Sequence, residues 1–372
     1  MSAPQNSRAV VLSEFGRSLE LQRFPLPSAP ERGMIVAGRY GGVCGTDRHL
    51  QLGHLEVPTP LVLGHEGLGT VYELGHGAKY DVDGTALHIG DEVLWASSIA
   101  CGRCVPCRMH REPTLCENRR TYGVNRPTTV EPALSGSWAD HICLHEGTTV
   151  VRMPEGIDPL AAMAFACAGP TMVHALFERR PVRVGETVVV QGSGPVGLAA
   201  AALAHLSGAA RVIVVGGPDQ RLRVAAEVGI GDEHVNIVDA DGAGAQDEVL
   251  ARVIELTGGR GADLVIECVG APAAVAQGLR LARRGGSYLV VGQYTDNGDA
   301  SINPHQIVYR QLDVVGSWAF TGAHLVEYVR LLPALVRRFD LARLVTIYPL
   351  EESAAALADV ERGSVIKAVL RA

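Results

Sequence analysis

Apolar positions along the 372-residue chain fall into two textures. Up to about residue 150, short β-type runs such as MIVAGRY, GTVYEL and DEVLWA are separated by turns rich in glycine and proline, which predicts an irregular, mostly β domain. After about residue 155, apolar runs alternate with Ala- and Leu-rich helical stretches: VRVGETVVVQG, VGLAAAALAHLSG, ARVIVVGG, QRLRVAAEVG, GADLVIECVG, AAVAQGLRLARR and GGSYLVVGQY. Continuous Val/Ile runs bounded by glycine are what strands covered on both faces require, so this part predicts a doubly wound α/β domain with a parallel sheet. Beyond residue 312 come one more strand-like run, LDVVGSW, helices over 323–339 and 351–361, and a closing strand-like IKAVLRA.

The length suits about two domains. With 33 basic against 40 acidic residues the net charge is −7, and no basic cluster offers a nucleic-acid footprint. The N-terminus lacks a basic stretch followed by an apolar core, and runs such as VGLAAAALAHL stop well short of the roughly 20 residues a membrane span needs, so the expectation is a soluble cytoplasmic protein. Eight cysteines would suggest disulfides in a short secreted chain; here half of them crowd one loop, and metal ligation explains them better.

Two motifs carry chemistry by their spacing. VVVQGSGPVGLAA sets Gly192, Gly194 and Gly197, with Pro195 and Val196 between them, after a buried strand and before an Ala-rich helix. In that context the glycines allow a tight turn, a close approach of a pyrophosphate and close helix–strand packing, while the helix N-terminus attracts phosphate charge. The next strand ends VIVVGGPDQRL, where an acid that reads the adenosine ribose is expected; Gly216 stands there instead. Asp219 could still reach the ribose hydroxyls or cap the following helix, and Arg221 could neutralise a 2′-phosphate, so NAD and NADP both stay open with NAD slightly favoured. The second motif is CGRCVPCRMHREPTLC: Cys101, Cys104, Cys107 and Cys116 come from one polar loop and can close a tetrahedron around Zn²⁺ with no open corner, a structural site. Cys44 in VCGTDRHL and His65 in LGHEG stand apart; each alone reads equally as a packed thiol or a satisfied histidine.

Taken in order, GGVCGTDRH, LGHEGLGTV, CGRCVPC with its fourth cysteine, and GSGPVGL resemble the zinc-dependent alcohol dehydrogenases of the medium-chain dehydrogenase/reductase family over nearly the whole chain. The resemblance implies a GroES-like, mostly β catalytic domain interrupted by a Rossmann domain, with expected divisions 1–168, 169–312 and a return over 313–372, and a zinc lobe at 97–120. It also implies two zinc ions per subunit and a nicotinamide dinucleotide. By motif match Cys44 and His65 are the first two ligands of a catalytic zinc. Cys167 is the preferred third, four residues before Thr171, with Glu155 as the alternative that polyol dehydrogenases suggest. Thr46 and His49 match the proton relay, and Asp47 the carboxylate that orients the ligand histidine. Glu66 could approach the metal. Thr171, Val269 and Trp318 fall along the cofactor, Trp318 near the nicotinamide. Cys143 and Cys268 read as buried thiols.

Ser97, Trp138, Tyr122, Asn125 and Arg126 are expected to line the substrate pocket, and the polar ones among them favour a polyol, a cyclitol or a small anionic alcohol. The longer zinc lobe followed by TYGVNR, and the segment DVDGTALHIGDEV, most resemble the bacterial branch that includes scyllo-inosose dehydrogenases. The resulting expectation is an NAD(P)-linked dehydrogenase of a polar secondary alcohol or its ketone, forming a homodimer or homotetramer through its Rossmann domains. One rival is a dehydrogenase of an anionic primary alcohol or aldehyde held by Arg126. The other is a non-catalytic nucleotide-binding relative.

Overall fold

The computed structural model describes residues 6–237 and 245–372, which form two units. The first comprises the chain up to Cys167 together with Phe320–Leu332 and Val345–Ala372. Its seven-stranded sheet runs in the order Val150–Arg152, Glu92–Trp95, Gly67–Leu74, Met34–Val43, Lys367–Arg371, Val345–Pro349, with His141–Leu144 also paired to Met34–Val43. A three-stranded sheet, Glu20–Pro25, Asn6–Leu12 and Leu61–Val62, packs its apolar side chains into the same unit. Strand Met34–Val43 is the hub. Antiparallel pairing sets Gly41 opposite Gly67 and Val43 opposite Ala368, so Cys44, Glu66 and Lys367 meet where three chain segments end their ladders. The register thus assembles the site from residues distant in sequence.

The second unit, Ala168–Ala319 with Pro333–Leu344, holds a six-stranded parallel sheet. Its order is Glu233–Asn236, Arg211–Gly216, Thr187–Gln191, Ala262–Glu267, Ala282–Val290, Asp313–Gly316, the doubly wound 3-2-1-4-5-6 arrangement. The central Val/Ile strands are buried along nearly their whole length, as continuous apolar runs demand.

The expected return at residue 313 comes too early. Strand Asp313–Gly316 pairs in parallel with Ala282–Val290, so it completes the second unit and the crossing falls after Ala319. Pro333–Leu344 also belongs there: Phe339 is buried beside the His205 ring, and Arg343 bridges Glu227 at 2.5 Å. No helix among the described residues is long and apolar enough to cross a membrane.

Candidate functional site

Cys44 has extended backbone (φ −126°, ψ 161°) and begins the helix Gly45–Leu52. Fully buried Asp47 accepts the Cys44 amide on Oδ2 at 2.8 Å, one half of a capping box that fixes the helix start. Asp47 Oδ1 faces His65 Nδ1 at 3.3 Å, just outside hydrogen-bond geometry, and neither atom has another partner. That contact leaves His65 Nε2 as the nitrogen available to a metal. Burial alone would depress the imidazole's pKa, but Asp47 and Cys44 outweigh it and hold His65 well above its ordinary value. The hydrogen bond from Cys167 holds the Cys44 thiol well below the usual thiol range against burial, with help from His65 and Lys367.

Cys167 lies in a three-residue break between the helices Pro159–Ala164 and Ala168–Val173, not inside a continuous Ala-rich helix. Its sulfur and the ligand atoms of Cys44, His65 and Glu66 all lie within 4.8 Å of one another. Glu155 is exposed in a turn and is not part of this group. Two thiols, an imidazole and a carboxylate confined to such a space fit a shared Zn²⁺, whose donors are sulfur, nitrogen and oxygen. Thr46 Oγ1 stands 3.9 Å from the Cys44 sulfur, and His49 follows on the same helix, half-buried.

Lys367 was not foreseen. Only 2% exposed, it places Nζ 2.8 and 2.6 Å from the two oxygens of Glu66 and donates to the Val43 carbonyl at 3.1 Å. Desolvation opposes its charge, yet Glu66 and the Cys44 sulfur raise its pKa above the ordinary lysine value. The clue in the sequence was a lone lysine between Ile366 and Ala368 in a strand-like run, where a buried cation needs a partner.

The cysteine lobe is closed at its base by the antiparallel pairs Ser98–Thr121 and Ile99–Arg120. Within it the four sulfurs lie within 4.8 Å of one another. Cys104 and Cys116 are 3.9 Å apart, close to the edge of about 3.8 Å that a tetrahedron of Zn–S bonds near 2.3 Å requires. Backbone N–H groups of Arg103 and Cys104 bring Cys101 down to about 6, whereas desolvation and the neighbouring Cys104 push Cys107 up to about 12.

In the second unit the glycine loop joins strand Thr187–Gln191 to helix Pro195–Leu206, whose N-terminus carries no side-chain cap and so leaves its amides to an anion. A β-carbon on Gly197 would lie 1.9 Å from the Gly192 carbonyl oxygen, which is why the third glycine is needed. Beside the loop, at the carboxyl ends of the strands, a mostly apolar cleft of about 260 Å³ is lined by Gln191, Val215, Ile237, Val249, Val269 and Ala271 among others, and fits a flat heteroaromatic base. Glu267, also missed in the sequence, is fully buried and accepts the amides of Val269 and Gly270 at 2.7 Å and of Gly292 at 3.1 Å, shaping that rim. Trp318 is partly exposed and stacks on Tyr294 with centroids 4.6 Å apart, while Thr171 sits in helix Ala168–Val173.

Gly216 occupies the acid position because Ser193 fills the space: an added β-carbon would lie 2.8 Å from the Ser193 amide nitrogen, and the Ser193 hydroxyl donates to the Gly217 carbonyl at 2.9 Å. Asp219 opens the helix Asp219–Glu227 without capping it and pairs with Arg223 at 2.8 Å, an exposed contact of little strength. Arg221 is half-buried, its pKa pulled down by desolvation. G216D is therefore expected to weaken binding of NADH and NADPH alike by about 10- to 100-fold, following an overpacking cost of ~1–3 kcal/mol. Fluorescence titration with both nucleotides measures this, and a clean switch to NADH would show that the Ser193 loop yields.

Two family descriptions match the chain: an alcohol dehydrogenase GroES-like domain over residues 30–155 and a zinc-binding dehydrogenase over residues 195–334. The chain is 33% identical to 5-exo-hydroxycamphor dehydrogenase of Pseudomonas putida, across 98% of this chain and 99% of that protein. It is 31% identical to a sorbitol dehydrogenase of Halalkalibacterium halodurans, across 98% of each. The crystal structure of an alcohol dehydrogenase from Thermotoga maritima superposes with a TM-score of 0.91 at 34% identity, covering 98% of this chain and 99% of that one. The chain is a zinc-dependent alcohol dehydrogenase of the medium-chain dehydrogenase/reductase family.

In this dehydrogenase the expected pocket residues largely serve the scaffold. Trp138 is fully buried, its indole N–H donating to the Gly42 carbonyl at 2.9 Å within the core of the first unit. Tyr122 is 1% exposed, and its hydroxyl is held by Thr148 Oγ1 at 2.6 Å and the His145 amide at 2.8 Å. The Asn125 side chain accepts the Thr121 amide at 2.7 Å and donates to the Arg119 carbonyl at 2.9 Å, stitching its own loop. Ser97 is buried, and its carbonyl accepts the Tyr122 amide. Arg126 is half-buried near Tyr122 and Cys143, with its Nε unpartnered. Cys143 and Cys268 belong to neither metal group; burial pushes Cys143 up to about 12 and Cys268 well above the ordinary thiol value.

Proposed function

We propose that the enzyme interconverts a secondary alcohol and its ketone with NAD(P), using Cys44, His65 and Cys167 to hold a catalytic zinc and Cys101, Cys104, Cys107 and Cys116 to hold a structural one. The observation that carries the reading is the Cys44–His65–Glu66–Cys167 group, whose ligand atoms lie within 4.8 Å of one another, with His65 and Glu66 buried, the two cysteines half-buried, and Lys367 bound to both Glu66 oxygens. Zinc bound there supplies a Lewis acid that favours the alkoxide over the alcohol. Asp47 orients His65 and fixes the start of the helix, setting Thr46 beside Cys44. The Thr46 hydroxyl accepts the substrate proton as it passes its own onward, and His49 takes the proton towards solvent. The glycine loop and the uncapped helix at Pro195 would hold the pyrophosphate, with Val269 lining the apolar cleft beside them.

For the substrate, a polyol or cyclitol is supported by the likeness to a sorbitol dehydrogenase. A bulkier, less polar alcohol is favoured by the hydroxycamphor relative and by the internal hydrogen bonds that occupy Tyr122 and Asn125. The exposed edge strand Asp313–Gly316, with Val308, Tyr309 and Val314 on the surface, supports a homodimer through the second unit. All eight cysteines are free of disulfides, which supports a reducing, cytoplasmic setting. Metal analysis is expected to return two zinc ions per chain. A screen of cyclitols, linear polyols, terpenoid alcohols and hydroxyacids with NAD and NADP is expected to show turnover of secondary alcohols; turnover confined to hydroxyacids, lost in R126A, would install the anionic-substrate reading instead.

A further inference from the structure

Helix Gly45–Leu52 ends at Gly53, which adopts the left-handed conformation (φ 78°) and turns the chain so that the His54 amide donates to the His49 carbonyl at 2.9 Å. The two imidazoles are brought together: His49 Nδ1 lies 3.1 Å from His54 Nδ1, with ring centroids 5.3 Å apart. His49 is half-buried and His54 is exposed. We propose that His54 is the outer member of a two-histidine proton path and takes the proton from His49 to bulk water. This rests on the reading of His49 as the residue that receives the proton from the substrate side.

A histidine moves a proton onward only when it takes one at one nitrogen and releases one from the other. Here Nδ1 of His49 is committed to His54, so Nε2 is the nitrogen that accepts. In the resting pair, His49 carries its proton on Nδ1 and donates it to the Nδ1 lone pair of His54, which carries its own on Nε2. When a proton arrives, the Nε2–H bond of His49 forms and its Nδ1–H bond breaks, the Nδ1–H bond of His54 forms, and the Nε2–H of His54 is given to water. No oxidant or further reactant is needed. Both rings then regain the starting tautomers by exchange with solvent.

On the neighbouring elements, Glu361 and Glu14 are each held by an arginine. The neighbouring Arg48 on the same helix turns to Gln51 at 2.8 Å and to Glu361 of helix Ser353–Arg362 at 2.9 Å. In the turn after strand Asn6–Leu12, Arg17 and Glu14 pair with each other at 3.6 Å, and the Arg17 carbonyl accepts from Gln51. The groups acting on His49 are its own desolvation and His54, which hold it below the ordinary histidine value, and the Cys44 sulfur, which acts in the opposite sense. The lowered value favours the neutral form of His49, which can accept, and alcohol oxidation should rise with pH through that lowered midpoint and level off above it.

The test compares wild type, H54Q and H49Q. In single-turnover alcohol oxidation in dilute buffer, H54Q is expected to slow the proton-coupled step by about tenfold, and concentrated imidazole should restore it, because a soluble base replaces the missing outlet. H49Q should slow it by roughly 10²-fold. The second readout does not use turnover: NMR titration of ring 13Cε1 signals in zinc-loaded, cofactor-free enzyme should show the His49 midpoint moving up in H54Q, since the partner that lowered it is gone. If H54Q matches wild type in both buffers and leaves the His49 midpoint in place while H49Q is slow, the two-histidine path is overturned and the His49 reading stands. A slow H54Q that imidazole does not restore also overturns it, since the defect is then structural. If H49Q turns over like wild type, the His49 reading itself falls.

Discussion

C167S is expected to lower kcat/KM by at least about 10³-fold, ~4 kcal/mol of transition-state stabilisation. Serine is nearly isosteric with cysteine, but its hydroxyl does not ionise near neutral pH and gives up the thiolate that makes this donor set suit zinc. Cys167 is fully committed to the group, with its sulfur close enough to Cys44 to lower that thiol's pKa. The variant should therefore also lose one of two zinc ions per chain and keep the one in the cysteine lobe, which shares no residue with it. Three controls sharpen the result. C143S alters a buried thiol and C268S one that is half-buried rather than buried as expected, neither belongs to a metal group, and E155Q alters an exposed turn, so all three should keep both metals and most activity. A C167S enzyme with two zinc ions and near-normal turnover would remove Cys167 from the site and reopen the choice of third ligand.

K367M is expected to destabilise the fold by ~3–5 kcal/mol, because it strips the partner from a carboxylate that cannot reach water. Lys367 and Glu66 are 2% and 3% exposed, and their atoms meet at 2.6 Å. Methionine keeps the length of the lysine stem and removes only its charge, so the loss reads the uncompensated Glu66 rather than a cavity. The double variant E66Q/K367M, with both charges gone, should recover most of the loss, since a buried pair contributes little beyond satisfying itself. Denaturant midpoints of the zinc-loaded proteins measure both. A K367M penalty below about 1 kcal/mol, the range of an exposed pair, would mean that water reaches Glu66 and that Lys367 does not restrain it.

The sequence made different parts of this enzyme legible to different degrees. The glycine loop and the cysteine lobe were readable because each is a local object: their functional atoms come from one short segment, and spacing alone sets which atoms can meet. Val/Ile runs announced buried parallel strands for the same reason, since every residue in such a strand faces a covering layer. The pocket residues depend on their neighbours. Tyr122, Asn125 and Trp138 carry groups that could meet a polar ligand, and in the fold those groups are taken by Thr148, by the backbone of the loop, and by the Gly42 carbonyl. A hydrogen-bonding side chain in a loop can be spent inside the scaffold, and only the neighbours reveal it.

The domain return was misplaced at 313 for a related reason: LDVVGSW has the pattern of a strand, and a pattern does not say which sheet it joins. By itself the sequence determined the two-domain architecture, the dinucleotide loop, the four-cysteine metal lobe and, through ordered motifs, the family. Only the tertiary structure showed that Cys167 and not Glu155 lies beside Cys44, His65 and Glu66, that Lys367 holds Glu66, that Ser193 fills the space at position 216, and that His54 lies against His49. The physical reason is strand register and chain reversal. A slip of one residue in the Val43–Ala368 ladder would turn Lys367 to the opposite face, and without the turn at Gly53 the His54 ring would leave His49 facing water.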